Sequence, residues 1–265
     1  MRVIAAMAGA ALLLAGALPA NGQEKPRTLV TIWAHPDDEL SVGPLLARYA
    51  REGVRVHIII ATDGSQGAAN TSVPRGPEIA KLRADEARCA AEALGIQPPV
   101  LLGFPDGALG DYRADPALLM RLTARIQEEV ERLRPDAVIT WGPDGGSGHP
   151  DHRLVSAVVT QLARAGAPGM PSRVFYSSIP GDAMRAMNPE RGAPPFLAPQ
   201  ASHLTVRVPF RPADLEAAGR SLACHKTQFP EAAIPRLMTA MQGVWNGELP
   251  VVPLVPQPPS KDLFD

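Results

Sequence analysis

The chain is poor in cysteine: only Cys89 and Cys224 occur in 265 residues. Neither has a CxxC partner, which excludes a cysteine-based zinc site. Both fall in helical patterns, where buried free thiols are common, so they are expected to stay unpaired, although an oxidising compartment permits a bridge. The chain also lacks a charge excess. Its 26 basic and 27 acidic residues leave a formal net charge of −1, so no basic field argues for nucleic acid. There are no internal repeats and no sign of a second domain. The most apolar run, around Ala11–Ala15, is too short and too rich in alanine to span a bilayer.

That run nevertheless has a meaning. Met1-Arg2-Val3 supplies one positive charge, an apolar stretch follows, and small residues come after it, as in a secretory signal peptide. Ala20-Asn21-Gly22 is a plausible cleavage site and Ala15-Gly16-Ala17 a second. The expected organisation is a signal peptide over 1–22 and one domain over 23–265. The mature protein is then expected outside the cytoplasm, secreted or periplasmic, with no stable membrane insertion. No cysteine near the cut offers a lipid anchor.

Hydrophobic residues make up 45% of the sequence, enough for a real core. Short β-branched runs alternate with amphipathic stretches. Strands are predicted near 29–33, 54–61, 98–102, 137–141, 173–177 and 204–208. Helices are predicted over 40–52, 77–94, 115–134, from 149 through 165, and over 214–228. This alternation predicts an α/β fold: a Rossmann-like, doubly wound, mostly parallel sheet in three layers. Long loops are expected in the C-terminal half, where many of the 29 prolines lie. One spans 180–200, and a tail over 250–259 is expected to be too proline-rich for regular structure. A strand order of 3-2-1-4-5 would place strands one and four side by side where the winding reverses.

Two stretches carry the chemistry. The first, Leu29 to Glu39, is an apolar run that ends in His35-Pro36-Asp37-Asp38-Glu39. It reads as a buried strand, a tight turn and a helix start. Taken alone, Asp37 or Asp38 would serve as a helix cap and His35 as a packed histidine. The second is Gly142–Gly148 followed by His149-Pro150-Asp151-His152. Neighbouring strands would bring the two together. A hydrolytic zinc takes three histidine or carboxylate ligands and keeps a fourth position for water. His35 and Asp38 can give two ligands, and His149 or His152 the third. A carboxylate outside the ligand set, with Asp37 the natural candidate, would take a proton from the water. The remaining histidine would stabilise an oxyanion or protonate a leaving nitrogen, with Asp151 holding it in the right tautomer.

Ala-His-Pro-Asp-Asp-Glu at 34–39 with Gly-His-Pro-Asp-His at 148–152 resembles the PIG-L/LmbE family of zinc-dependent N-acetylglucosaminyl deacetylases. Thr62-Asp63-Gly64, Arg83, Glu86, Gly103-Phe104-Pro105-Asp106-Gly107 and His225-Lys226-Thr227-Gln228 add to the likeness, which runs from about Leu29 to Gln228. The resemblance implies His35, Asp38 and His152 as ligands of Zn2+ and Asp37 as base. It implies His149 as the oxyanion-stabilising or acid group with Asp151 behind it, and Arg75, Asp106 and His225 as substrate-binding positions. Iron or nickel would also suit these ligands. The implied partner is an N-acetylated sugar or glycoconjugate. Two other readings stand beside it: hydrolysis of a non-sugar N-acyl substrate or an ester, and non-catalytic glycan binding. One departure is Ser147, where some mycothiol-pathway members carry a catalytic tyrosine. The export signal is a second departure. Oligomeric state stays open.

Overall fold

The computed structural model describes residues 25–111, 113–178 and 199–265. The expected signal peptide over 1–22 and most of the expected loop over 180–200 lie outside them. Among the described residues, seven strands form one sheet in the order β3-β2-β1-β4-β5-β7-β6. They are β1 Thr28–Trp33, β2 Arg55–Thr62, β3 Val100–Phe104, β4 Ala137–Trp141, β5 Val174–Ser177, β6 Val206–Pro209 and β7 Glu248–Pro253. The first five pair in parallel in the order anticipated, and β7 runs antiparallel to both β5 and β6. The α-helices among the described residues are α1 Gly43–Arg51, α2 Pro77–Leu94, α3 Pro116–Leu133, the single turn α4 Gly145–Gly148, α5 Pro150–Arg164, α6 Pro212–Cys224 and α7 Ile234–Trp245.

Every residue of β1 is buried, because helices cover both faces of the sheet. Period-two alternation sends Leu29 and Trp33 into one core with Leu45 and Leu46 of α1 and Ala87, Ala91 and Leu94 of α2. It sends Val30 and Ile32 into the other, with the α3 stripe Leu118, Leu122, Ile126 and Val130 and with Val155, Val158 and Val159 of α5. Burying such side chains contributes roughly 1.5–3 kcal/mol each. The result is the three-layer arrangement that the alternation predicted. None of the described helices is long and apolar enough to cross a membrane.

Four expectations need correction. The helix foreseen over 40–52 is a 3-10 turn at Asp38–Ser41 followed by α1. The helix foreseen to Gln228 stops at Cys224. The proline-rich tail contributes β7, although proline removes a ladder donor. Pro250 is tolerated because it faces Arg207, whose N–H turns away and donates to Ser260 O at 3.0 Å. Pro253 lies beyond the pairing with β6. Finally, Cys89 of α2 and Cys224 of α6 form a disulfide, with Cα atoms 5.8 Å apart. Their separation of 135 residues hid the fact that these helices pack side by side.

Candidate active site

Strands β1 and β4 are neighbours with winding in opposite directions from them, so the loops leaving their carboxyl ends meet in one crevice. The first loop turns sharply after Trp33. Asp37 takes a left-handed backbone, φ 102°, which costs a non-glycine residue roughly 1–3 kcal/mol and persists only when its surroundings impose it. Here they do. Asp37 N–H donates to Glu39 Oε2 at 3.1 Å, and Leu40 N–H to Asp37 O at 3.1 Å. The Arg83 guanidinium, from α2, lies 3.1 Å from Asp37 Oδ1 and donates to the carbonyls of Pro36 and Gly64.

The second loop is shaped by glycine. Gly145, Gly146 and Gly148 all have positive φ. A Cβ on Gly146 would stand 2.4 Å from the Trp141 ring. Pro150 opens α5, and His149 caps it by accepting Asp151 N–H on Nδ1 at 3.1 Å. His152 then falls in the first turn of α5, stacked on Trp141 with ring centroids 4.6 Å apart and planes 5° from parallel.

The donor atoms of the two loops converge. His35 Nδ1 is 2.9 Å from His152 Nε2, and His152 Nε2 is 3.2 Å from Asp38 Oδ1. Each imidazole has its other nitrogen committed. His152 Nδ1 donates to Gly145 O at 2.8 Å. His35 Nε2 faces Asp106 Oδ1 at 3.1 Å and Asp151 Oδ2 at 3.3 Å. The bare lone pairs therefore point at one another. Two N–H groups cannot face each other at 2.9 Å, so at most one of these nitrogens carries a proton, and the pair can share a cation. Bonds of 2.0–2.1 Å to a tetrahedral ion give donor-to-donor edges of roughly 3.3 Å, close to the spacing found. The second oxygen of Asp38 accepts from Ala34 N–H, His35 N–H and Trp141 Nε1–H at 3.0, 2.9 and 3.0 Å.

The electrostatics agree. Burial opposes a charge on His35, but hydrogen bonds to Asp106 and Asp151 and the field of Asp38 outweigh it and push its pKa up to about 10. Burial likewise opposes charge on His152, and Asp38 outweighs it and raises the pKa. Burial would raise Asp38, but the charge and hydrogen bond of His152, then His35, hold it well below the usual carboxylate range. A pocket that draws protons onto buried imidazoles favours a cation, and a divalent metal suits this donor set. Burial also raises Asp37 to about 6, against the pull of Arg83. His149 moves the other way, lowered by burial and then by His35 and His152. Its Nδ1 accepts the Asp151 N–H, which leaves its proton on Nε2.

His35, His149 and His152 present donors within 4.8 Å of one another, as do His35, Asp106 and Asp151. The second group is a support for the first: two carboxylates sharing the Nε2–H of His35 fix the tautomer that frees Nδ1. Asp151 therefore differs from expectation. Its carboxylate orients His35 and accepts Gly107 N–H at 2.8 Å, while only its backbone meets His149. Asp106, expected to touch sugar, has one oxygen on His35 and the other on Gln66 N–H at 2.8 Å. His225, also expected on the substrate side, has 0% exposure and donates to Glu39 Oε1 at 2.6 Å behind the turn. Arg75 is exposed ahead of α2, and among the described residues no polar contact joins its side chain to this cluster.

Sequence reasoning missed Trp141 and the structural parts played by Glu39 and Arg83. Trp141 gave no signal, since a tryptophan ending an apolar strand reads as core. Arg83 did give one: it is a charged residue in the buried stripe Ile79, Arg83, Ala87 of α2.

The sequence profile of the PIG-L family, described as GlcNAc-PI de-N-acetylase, matches residues 30–163, which takes in both loops. The 1D-myo-inositol 2-acetamido-2-deoxy-alpha-D-glucopyranoside deacetylase of Rhodococcus jostii is 32% identical over 241 residues, 76% of this chain and 82% of its own length. The protein of the same name from Kineococcus radiotolerans is 35% identical over 202 residues, 63% of this chain, and the match spans about half of it, 54%. The solved N,N'-diacetylchitobiose deacetylase from Pyrococcus horikoshii superposes with a TM-score of 0.61 over 86% of this chain and 83% of its own, at 18% identity, a likeness of fold.

Proposed function

Because the chain belongs to the PIG-L family of de-N-acetylases, we propose that it is a zinc-dependent hydrolase that removes acetyl from an N-acetylated amino sugar. His35, Asp38 and His152 would hold the ion. The observation that carries this assignment is the 2.9 Å approach of two imidazole lone pairs beside a carboxylate 3.2 Å away. The substrate class rests on the relatives, which are named as deacetylases of a 2-acetamido-2-deoxy-glucopyranoside.

A bound divalent ion would supply a water of lowered pKa and polarise the acyl carbonyl. Asp37 takes the proton of the attacking water. Burial raises its carboxyl above the usual carboxylate range, which suits it to return that proton to the departing nitrogen as well. His149, whose Nδ1 accepts a backbone N–H and so leaves its proton on Nε2, donates a hydrogen bond to the oxyanion that forms from the acyl carbonyl oxygen. That suits it to stabilise charge rather than to act as the acid, and Ser147 offers no tyrosine hydroxyl for that task. Asp106 and Asp151 hold His35, and Arg83 holds Asp37.

Secretion or periplasmic location belongs to the same proposal. The charged and apolar opening of the sequence supports it, as does the Cys89–Cys224 bridge, since such bridges persist in oxidising compartments. The first residue of the purified mature protein, read by N-terminal sequencing, checks it.

The direct test is acetate release from N-acetylglucosamine conjugates by the zinc-loaded protein. Turnover is expected together with one ion per chain, and Asp37→Ala is expected to keep the ion and lose turnover. Asp37→Ala with full activity would remove Asp37 from the role of base. Turnover only on non-sugar N-acyl compounds would replace the substrate class and leave the chemistry intact.

A further inference from the structure

The segment His225-Lys226-Thr227-Gln228 follows α6 and supplies none of the converging donor atoms, yet it is stitched more densely than any mere connection requires. Thr227 N–H and Oγ1 both donate to Glu86 of α2, each at 2.7 Å. Gln228 Nε2 donates to Gly67 O at 2.6 Å, and Asn70 N–H to Thr227 O at 2.7 Å. Cys224, immediately before it, is bonded to Cys89 of α2. These ties converge on one buried imidazole. His225 has 0% exposure, its Nε2–H reaches Glu39 Oε1 at 2.6 Å, and its Nδ1 has no partner.

Glu39 carries the constraint onward. Its second oxygen accepts Asp37 N–H at 3.1 Å, and Asp37 is the residue with the left-handed backbone. A glutamate free to rotate would leave that N–H with water. A glutamate pinned from 186 residues away cannot rotate. We propose that His225 is a positioning residue for deacetylation: through Glu39 it sets the backbone of Asp37, and the Cys89–Cys224 disulfide in turn sets His225. This rests on the reading of Asp37 as base. The chain of contacts gives the disulfide a task inside the reaction as well as in the fold.

The test uses the full metal-loaded chain and acetate release from an N-acetylglucosamine conjugate. His225→Ala is expected to lower kcat by about 10- to 100-fold, the scale of a small misplacement of a reacting group, with KM and bound metal unchanged. His225→Gln, whose amide can supply the Nε2–H, is expected to recover most of that loss. The double variant Cys89→Ser/Cys224→Ser is expected to lower kcat by a smaller factor in the same direction. A purely structural His225 would lower the melting temperature, leave kcat per folded molecule unchanged, and make Gln no better than Ala; that result overturns the proposal. Asp37→Ala run alongside separates the two claims. If Asp37→Ala is inactive while His225→Ala matches wild type, positioning fails alone. If Asp37→Ala is active, the base assignment itself fails. Hydrogen exchange at the Asp37 amide reads the link without turnover: at least tenfold faster exchange is expected in His225→Ala, with protection recovered in His225→Gln. Unchanged exchange in His225→Ala overturns the proposal.

Discussion

The two loops that meet at the ends of β1 and β4 are held in opposite ways. The 35–39 turn is braced by side chains from far along the chain: Arg83, Asp106, Asp151 and, through Glu39, His225. The 142–152 loop is braced by its own backbone: glycines with positive φ, the Gly145 carbonyl on His152, and the His149 cap. One loop puts a carboxylate in a strained conformation, which needs outside force. The other carries an imidazole on a helix start, a shape that local sequence can dictate. The lesson is that a site can join a locally built wall to a globally built one, and the two should fail differently when damaged.

The largest effect tests the local wall. His152→Ala removes a donor, and metal affinity is expected to fall by more than the ~10–100-fold typical of losing an orienting partner, with turnover lost. Metal content after gel filtration and acetate release check it. Next comes Gly146→Ala. It forces a Cβ to within 2.4 Å of Trp141 at a φ of 67°. Left-handed backbone and overpacking together are expected to cost about 2–4 kcal/mol, read from the denaturation midpoint, and to weaken metal binding as the ring leaves His152. If stability and affinity both hold, the glycine loop is not a rigid wall.

Trp141→Phe is gentler. It keeps an aromatic face for His152 but deletes the 3.0 Å N–H to Asp38, and about a tenfold loss of metal affinity is expected, by competition with a chelator. The smallest effect concerns the global wall and pH. The proposed base, Asp37, must be deprotonated, and burial raises it to about 6 before a cation binds, so kcat/KM is expected to fall on acidification along a limb no higher than about pH 6. A bound cation draws this limb lower. Arg83 opposes the rise of Asp37, so Arg83→Met is expected to move the limb to higher pH. A limb that moves down or stays put would separate Arg83 from Asp37.

The same contrast explains what could be read in advance. The parallel strands were legible because buried β1, β2 and β4 are near-continuous apolar runs punctuated by glycine and aspartate, and their order followed from taking the common doubly wound arrangement. The two motif loops were legible for the same reason: histidine, proline and acid are local marks at strand ends. What escaped depended on distance. The disulfide and the His225–Glu39 pair join α6 to α2 and to the first turn, which no local pattern encodes. Asp106 and Asp151 were placed near the site, but their shared hold on His35 was not foreseen, since spacing cannot say which way a carboxylate points. Strand β7 was hidden by its prolines, whose missing donors are harmless only because of the pairing around them.

His35 and His152 stand 117 residues apart in sequence, so neither half of the grip exists until β1 and β4 lie together. An emerging or fully stretched polypeptide therefore lacks the joined donor set. On the proposed reading, loading would follow folding, and the free energy of capture would add to the stability of the folded domain. Were the protein exported unfolded, as proposed, it would arrive bare and take its ion from those on the far side.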